Sequence, residues 1–429
     1  MLAFMVASFA FLLIAGVPIV AVILTTATFP VVFDMGAMVT LPTVIRGTIA
    51  GADSTVILAV PLFVFAGTVM SFSGIAQRIF NVFTYFIGNL PGGMPCAVII
   101  TCLFYGAISG SGPATVAAVG MMTVPLLVSL NYDKTFVASI VGASGGLGII
   151  IPPSVTFVLY GQATGTSVGD LFMAGILPGC LISLCMIVYV IIRCKIVGED
   201  RATISAHYRL IKDRGLIFLI KDSFWAMLSP VVILGGIYSG IVTPTEAACI
   251  SVFYSLIIAL FIYRTLKFNE VLGLMRKAVR SFAPISILLA SATALSRSLT
   301  LLRIPVKISD FVLANFDNPW AIIIFVTIIL VMIGMVMDCT PAILILSPIL
   351  LPVLVKYGVS PVYFGTIMIC CVAIGQISPP FGSNLFVASQ LIESSVLSVG
   401  KKAYPLILCF LVALSLIIAF PRISLFFVG

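Results

Sequence analysis

Two short stretches carry oxygen atoms of the kind that hold a small hard cation. The first is ISGSGPAT, residues 108–115, with Ser109, Ser111 and Thr115. The second is MDCTPAI, residues 337–343, with Asp338 and Thr340. Three further polar residues, Ser154, Ser378 and Asn384, flank the proline pairs Pro152-Pro153 and Pro379-Pro380. Neutral oxygens joined by a single carboxylate suit sodium, whereas a proton relay would want several buried titratable groups. Only Asp338 and Glu246, with Asp170 and Glu393 as remaining candidates, come near apolar sequence.

The elements that must position these groups are membrane helices. Of the 429 residues, 61% are hydrophobic and 8% charged, whereas a soluble domain is about 25% charged. A surface so poor in charge cannot face water, which excludes a soluble α/β fold and a disordered chain. The apolar runs are solid rather than alternating, unlike barrel strands. The net charge of +8 sits in loops flanking apolar runs and does not point to nucleic acid. Arg193, Lys195, Arg201, Arg209, Lys212, Arg214 and Lys221 form one basic group, and Arg264, Lys267, Arg276, Lys277 and Arg280 another. The positive-inside rule puts both on the cytoplasmic side. Residues 223–263 then cross and return, with GIVTPTE (240–246) as the turn and Glu246 in a helix-capping pattern. Stretches 78–93, 198–222 and 264–281 mix charge with apolar residues and are expected to be amphipathic helices at the interface. Arg46, Arg78 and Asp53 are expected at the interface and His207 in solvent. The ten cysteines lack C-x-x-C spacing and read as packing residues, not disulfides or a zinc site. The apolar N-terminus is expected to be a first membrane segment rather than a removed signal.

The proline pairs lie where breaking a helix is costly, because lipid offers no partner to a freed backbone group. The arm MPCAVIITCLFYGA has 14 residues, short of the roughly 20 that span a bilayer. The turn-forming Ser-Gly-Ser-Gly-Pro follows it, so the stretch reads as a helical hairpin that enters the membrane and returns. Placing Pro152-Pro153 on Pro379-Pro380 puts Pro125 on Pro352, each 27 residues before its pair, and Gly148 on Gly375. With a one-residue gap, SGSGPAT (109–115) falls on MDCTPAI, and PLFVFAGTV (61–69) faces PISILLASA (284–292). An internal duplication follows: a first repeat over 1–197, a connector over 198–222 and a second repeat over 223–429. If each repeat crosses an odd number of times, the copies are inverted, as in ion-coupled transporters.

Broken helices expose N–H groups that suit a carboxylate and C=O groups that suit a cation. Four breaks in matched pairs would build one site near the bilayer midplane. The hairpin tips are placed near 109–115 and 337–341, and the broken helices near 148–154 and 375–384. The expected site is Ser109, Gly110, Ser111, Pro113, Thr115, Gly148, Pro152 and Ser154 from the first half. The second half gives Asp338, Thr340, Pro341, Gly375, Ser378, Gly382 and Asn384. Sodium is expected on Ser109, Ser111, Asp338, Thr340 and neighbouring carbonyls. Simpler roles stand beside these. The small residues of 142–148 favour close helix contacts, and Asp338 with Thr340 can cap the helix entering at Pro341.

Several longer motifs occur in order along the chain. AISGSGPATVAAVG, GLGIIIPPSVTFVLYG, GDLFMAGILPG, GIYSGIVTPTEAA and MDCTPAILILSPILLPV resemble the large membrane subunit of TRAP (tripartite ATP-independent periplasmic) transporters. The resemblance implies an all-α polytopic fold with two re-entrant hairpins and two broken helices, divided into a scaffold and an elevator-type transport domain. It implies sodium-coupled import of an organic acid across a bacterial inner membrane, the acid being a sialic acid, a C4-dicarboxylate, or a keto or sugar acid. It also implies a periplasmic substrate-binding protein and a small four-helix membrane subunit, expected on a separate chain, with no cofactor beyond sodium ions. The tips around 109–114 and 338–341, with the proline breaks, carry over as ion and substrate elements. Rivals are a stand-alone sodium–dicarboxylate carrier of related fold, an anion channel and an intramembrane serine protease. The last would use Ser144 in GASG (142–145), but the only histidine, His207, lies in a charged loop and leaves no dyad.

Overall fold

A computed structural model describes residues 2–33, 39–315 and 318–428. Among these the chain is helical with no strand. Helices α1 (Leu2–Ile14) and α2 (Ile19–Val32) are separated at Gly16 and Pro18, and α3 (Leu41–Ala52) and α4 (Ala59–Phe72) are bent against one another. The amphipathic α5 (Ile75–Ile87) follows. A first hairpin comprises α6 (Gly93–Ser109) and α7 (Gly112–Ser129). Next come α8 (Lys134–Gly145), the single turn α9 (Leu147–Ile150) and, beyond the first proline pair, α10 (Val155–Thr164). The long α11 (Val168–Val197) leads to α12 (Arg201–Lys212). Among the described residues eight helices are long and apolar enough to cross a bilayer, and counting each of the two bent helix pairs as one span raises that to ten.

The second half begins with α13 (Leu216–Tyr238), which starts inside the span expected as connector, and α14 (Pro244–Ile257). Thr243 and Glu246 form the expected capping box, with Thr243 N–H donating to Glu246 Oε2 at 2.7 Å. The segment 264–281 departs from expectation. It is not a separate interfacial helix but opens α15 (Phe268–Leu301), which runs unbroken through Pro284. Its 34 residues reach about 51 Å at 1.5 Å per residue, well beyond a bilayer core. The charged first turns therefore project past the apolar layer without a break. After α16 (Ile304–Asn315), a second hairpin forms from α17 (Pro319–Val336) and α18 (Cys339–Lys356). Helix α19 (Pro361–Gln376) stops at the second proline pair, α20 (Ser383–Gln390) continues beyond it, and α21 (Val396–Ala419) and α22 (Arg422–Leu425) close the chain.

Helix α11 shows how an almost wholly apolar helix chooses its faces. Leu184, Val188 and Ile192, four residues apart, point outward, while Met186, Val190 and Cys194 are buried. Both faces are apolar, so the outward stripe has lipid as its natural solvent. All ten cysteines are free.

Charged groups gather at the rim. Arg78 pairs with Asp222 and lies 3.9 Å above the Tyr263 ring, whose hydroxyl donates to the Asp222 carbonyl at 2.7 Å. The Glu199 side chain is almost fully buried where α11 ends. It accepts from Gly92 N–H at 3.0 Å, Tyr132 OH at 2.6 Å and Arg201 at 2.9 Å. One carboxylate thus ties both roots of the first hairpin to the start of α12. Burial raises the Tyr132 hydroxyl above its usual pKa, and the neighbouring carboxylate adds to the shift.

Candidate functional site

The first hairpin turns at Gly110, whose φ of +62° suits glycine. Ser111 is extended and starts α7, with Pro113 in its first turn. The Gly110 carbonyl accepts from Val155 N–H at 3.3 Å, which joins the tip to the first broken helix. Ser109 Oγ and Thr115 Oγ1 share a hydrogen bond of 2.7 Å, and Thr115 Oγ1 lies 2.8 Å from the Ser111 carbonyl that accepts from it. The break is closed by hydroxyls. Pro153 has no N–H to return to Ile149, so the Ile149 carbonyl accepts from Ser154 Oγ at 2.6 Å and Thr156 Oγ1 at 2.9 Å. A Cβ on Gly148 would stand 2.8 Å from the Ser111 carbonyl oxygen, so the broken helix meets the hairpin backbone to backbone.

The second hairpin turns at Met337 and Asp338, both extended. Asp338 holds the capping position of α18 but accepts no bond from its first turn. Its side chain is exposed, while Thr340 is buried. At the second break Ser378 Oγ donates to the Ile374 carbonyl at 2.6 Å, and Gly382 N–H to the Ser378 carbonyl at 3.0 Å. Both proline pairs are joined by cis peptides. Gly375 lies so close to Gly334 that an added Cβ would stand 2.3 Å from its carbonyl oxygen. In the first half Gly106 meets Gly148 in the same way, at 2.8 Å.

These parts converge. One cavity of about 420 Å³ is lined by both tips, by Ile149, Val155 and Thr156 of the first break, and by Gln376 at the end of α19. Its opposite wall is Val64, Gly67, Thr68 and Ser71 of α4, with Ser281 and Ile285 of α15. Of the expected residues, Ser109, Gly110, Ser111, Pro113, Asp338 and Thr340 line it. Thr115, Ser154 and Ser378 sit behind the surface, with their hydroxyls spent on the chain itself. Gly148 and Gly375 are close-packing positions. Pro152, Pro341 and Gly382 belong to the supporting backbone and do not line the cavity.

Asn384 is fully buried beside the first tip, together with Gln376, which the sequence reading did not single out. A Cβ on Gly112 would lie 2.7 Å from Gln376 Oε1 and 2.8 Å from Asn384 Oδ1. Neither carboxamide has a hydrogen-bond partner among the described residues, although both are buried. Thr156, Thr68, Ser71 and Ser281 were also missed. A lone amide in the apolar run VAIGQIS was the available signal for Gln376.

Asp338 is the one carboxylate on the cavity wall, and no Lys, Arg or His lines it. No cluster of three or more His, Cys, Asp or Glu exists among the described residues. The wall therefore offers hydroxyl, amide and carbonyl oxygens, donors for a hard cation rather than for a transition metal. Ser144 is buried in α8, and among the described residues its hydroxyl has no hydrogen-bond partner that could act as a general base.

Comparison with known proteins places this architecture. The sequence profile of the family described as "Tripartite ATP-independent periplasmic transporter, DctM component" matches residues 6–423. The chain belongs to that family. It is the large membrane permease component of a transporter, not an enzyme. It is 39% identical over 424 residues to the isethionate TRAP transporter permease protein DctMQ of Oleidesulfovibrio alaskensis, covering 98% of this chain and 65% of that one. The C4-dicarboxylate TRAP transporter large permease of Pseudomonas aeruginosa is 36% identical, with 86% of this chain and 85% of that one covered. The corresponding Rhodobacter capsulatus protein is 32% identical, with 96% of each covered. Among solved structures, the fold resembles the YdaH transporter of Alcanivorax borkumensis (TM-score 0.58, 15% identity, 88% and 86% covered). It also resembles MtrF of Neisseria gonorrhoeae (TM-score 0.59, 14% identity, 90% and 83% covered). These two likenesses concern the fold alone.

Proposed function

We propose that this DctM-family permease imports an organic acid across a bacterial inner membrane, driven by sodium. The observation that carries the reading is one cavity lined by both hairpin tips, by the first break and by the end of α19 just before the second. Relatives named for C4-dicarboxylates, 2,3-diketo-L-gulonate and ectoine support a small polar substrate, most of them acids. Sodium is assigned to the tips, with Ser109, Ser111, Asp338, Thr340 and adjoining carbonyls as its oxygen donors. The substrate carboxylate is assigned to the N-terminal turns of α7 and α18, where free N–H groups and the helix dipole favour an anion.

The two halves are read as inverted repeats that contribute equivalent parts. The paired glycine contacts, Gly106 with Gly148 and Gly334 with Gly375, support that reading because they fall at matched sequence positions. An elevator motion is supported by the cavity's place between two groups of helices. The tips and breaks form one wall and α4 with α15 the other, so sliding one group past the other would carry the site across. A periplasmic binding protein and a small four-helix membrane subunit complete the machine. The relative named DctMQ is longer than the stretch matched, which supports a second permease component beside this one.

Reconstituted vesicles test the proposal. Uptake of a labelled acid should need an inward sodium gradient, the small subunit and the cognate binding protein together. Uptake by this chain alone would favour a stand-alone carrier. Uptake indifferent to sodium would remove the coupling ion.

A further inference from the structure

Gln376 is the group in the cavity whose bonding is least explained by the fold. It is 2% exposed, and neither Oε1 nor Nε2 has a partner among the described residues, yet it lines the cavity. A buried carboxamide left unpaired is costly, about 1–3 kcal/mol, so its retention at a cavity wall asks for a ligand that pairs it. A carboxamide presents a donor and an acceptor side by side. The ligand group that satisfies both at once carries an acceptor next to a donor, as a carboxylate oxygen stands next to a neighbouring hydroxyl or amine.

The other wall points the same way. Thr68 Oγ1 donates to the Val64 carbonyl at 2.7 Å, Ser71 Oγ to the Thr68 carbonyl at 2.7 Å, and Ser281 Oγ to the Lys277 carbonyl at 3.1 Å. Their protons are engaged within the chain, so these hydroxyls face the cavity as lone pairs. Asp338 adds a carboxylate. Acceptors thus predominate on the α4 and α15 side while the N–H groups of α7 and α18 supply donors at the tips, and a plain carboxylic acid brings acceptors only.

We propose that the cavity selects acids that carry a hydroxyl or amino donor beside the carboxylate over their unsubstituted counterparts, and that Gln376 makes this selection. In the bound state Nε2 donates to a carboxylate oxygen and Oε1 accepts from the neighbouring O–H or N–H. The unsubstituted acid leaves Oε1 buried without a partner. This proposal rests on the acid-transport reading above.

The test is competition binding to the permease purified with its small membrane subunit, in sodium-containing detergent solution, using matched pairs: L-malate against succinate, and 3-hydroxybutyrate against butyrate. The hydroxylated member should bind about tenfold more tightly in each pair it enters, the worth of one well-made hydrogen bond. In Gln376→Met, which keeps the volume and removes both polar atoms, that ratio should fall to about one. Gln376→Asn should restore part of it, which a purely structural role would not do. A wild-type protein without preference, or a Met variant that keeps it, overturns the proposal. A Met variant whose sodium dependence shifts while its preference stays gives Gln376 to the ion and overturns it equally. A wild-type complex that takes up an organic acid in vesicles but binds neither member of either pair overturns this inference alone. A complex that takes up no organic acid even with the binding protein and sodium removes the acid-transport reading and this inference with it.

Discussion

The two hairpin-and-break units share a plan but differ in how completely they satisfy themselves. In the first, Ser109, Thr115, Ser154 and Thr156 spend their hydroxyls on one another and on the Ser111 and Ile149 carbonyls. The Gly110 carbonyl also binds Val155 N–H across the break. In the second, one hydroxyl, that of Ser378, closes the break. The Asp338 side chain makes no capping bond, and Gln376 and Asn384 have no side-chain partners among the described residues. The first unit is satisfied at its tip and its break, and its unpartnered hydroxyls, Tyr105 and Ser144, lie within helices. The second keeps open valences, and these turn toward the cavity or the first tip. The difference teaches that a shared backbone plan does not impose shared chemistry, and that the less satisfied unit is where ligand-dependent change belongs.

Substitutions that crowd the glycine contacts should have the largest effects. Gly375→Ala places a methyl 2.3 Å from the Gly334 carbonyl oxygen, against rigid backbone. It should cost about 3 kcal/mol and sharply lower the yield of folded protein, read by thermal unfolding in detergent. Gly148→Ala meets the Thr115 hydroxyl at 2.5 Å and the Ser111 carbonyl at 2.8 Å. Since the hydroxyl can turn away, the loss should be smaller, about 2 kcal/mol. Equal losses, or none, would mean that the two contacts are not the rigid supports described.

Hydroxyl deletions should expose the asymmetry next. Ser154→Ala leaves Thr156 on the Ile149 carbonyl and should cost about 0.5 kcal/mol, whereas the double change Ser154→Ala with Thr156→Val should cost about 2 kcal/mol. Additive single-site losses would contradict a shared acceptor. Ser378→Ala leaves the Ile374 carbonyl only the longer 3.2 Å bond from Ile377 N–H and should cost about 1 kcal/mol alone. A Ser154→Ala loss equal to or larger than that of Ser378→Ala would break the comparison.

The smallest effect on stability, and the most specific on function, is expected at Asp338. Asp338→Ala should leave the unfolding free energy within about 0.5 kcal/mol, because the side chain caps nothing. It should raise the sodium concentration for half-maximal uptake. Unchanged sodium activation would remove this carboxylate from the ion site.

Much of the architecture was legible in the sequence because lipid imposes a severe rule on backbone polarity. The proline pairs and the short arm before Ser-Gly-Ser-Gly-Pro pointed to breaks and a hairpin that the structure contains. The capping box at Thr243 and Glu246 was equally plain, since it depends on residues three apart. Segment 264–281 was misread because its charge pattern says where a helix meets water but not whether that helix continues. Part of the cavity lining was legible too. The oxygen-bearing tips line the cavity, whereas the Ser154 and Ser378 hydroxyls bond to backbone carbonyls, and Gln376 passed unnoticed in an apolar run.

By itself the sequence determined the class of molecule, the positions of its breaks and the supply of oxygen donors, because these follow from composition and from contacts a few residues apart. Only the tertiary structure decided which oxygens face the cavity and which are spent on the backbone. That choice depends on neighbours far away in the chain, such as Gln376 beside Gly112 and Val155 against Gly110. No local pattern encodes which buried polar group will find its partner within the fold and which is left for a ligand.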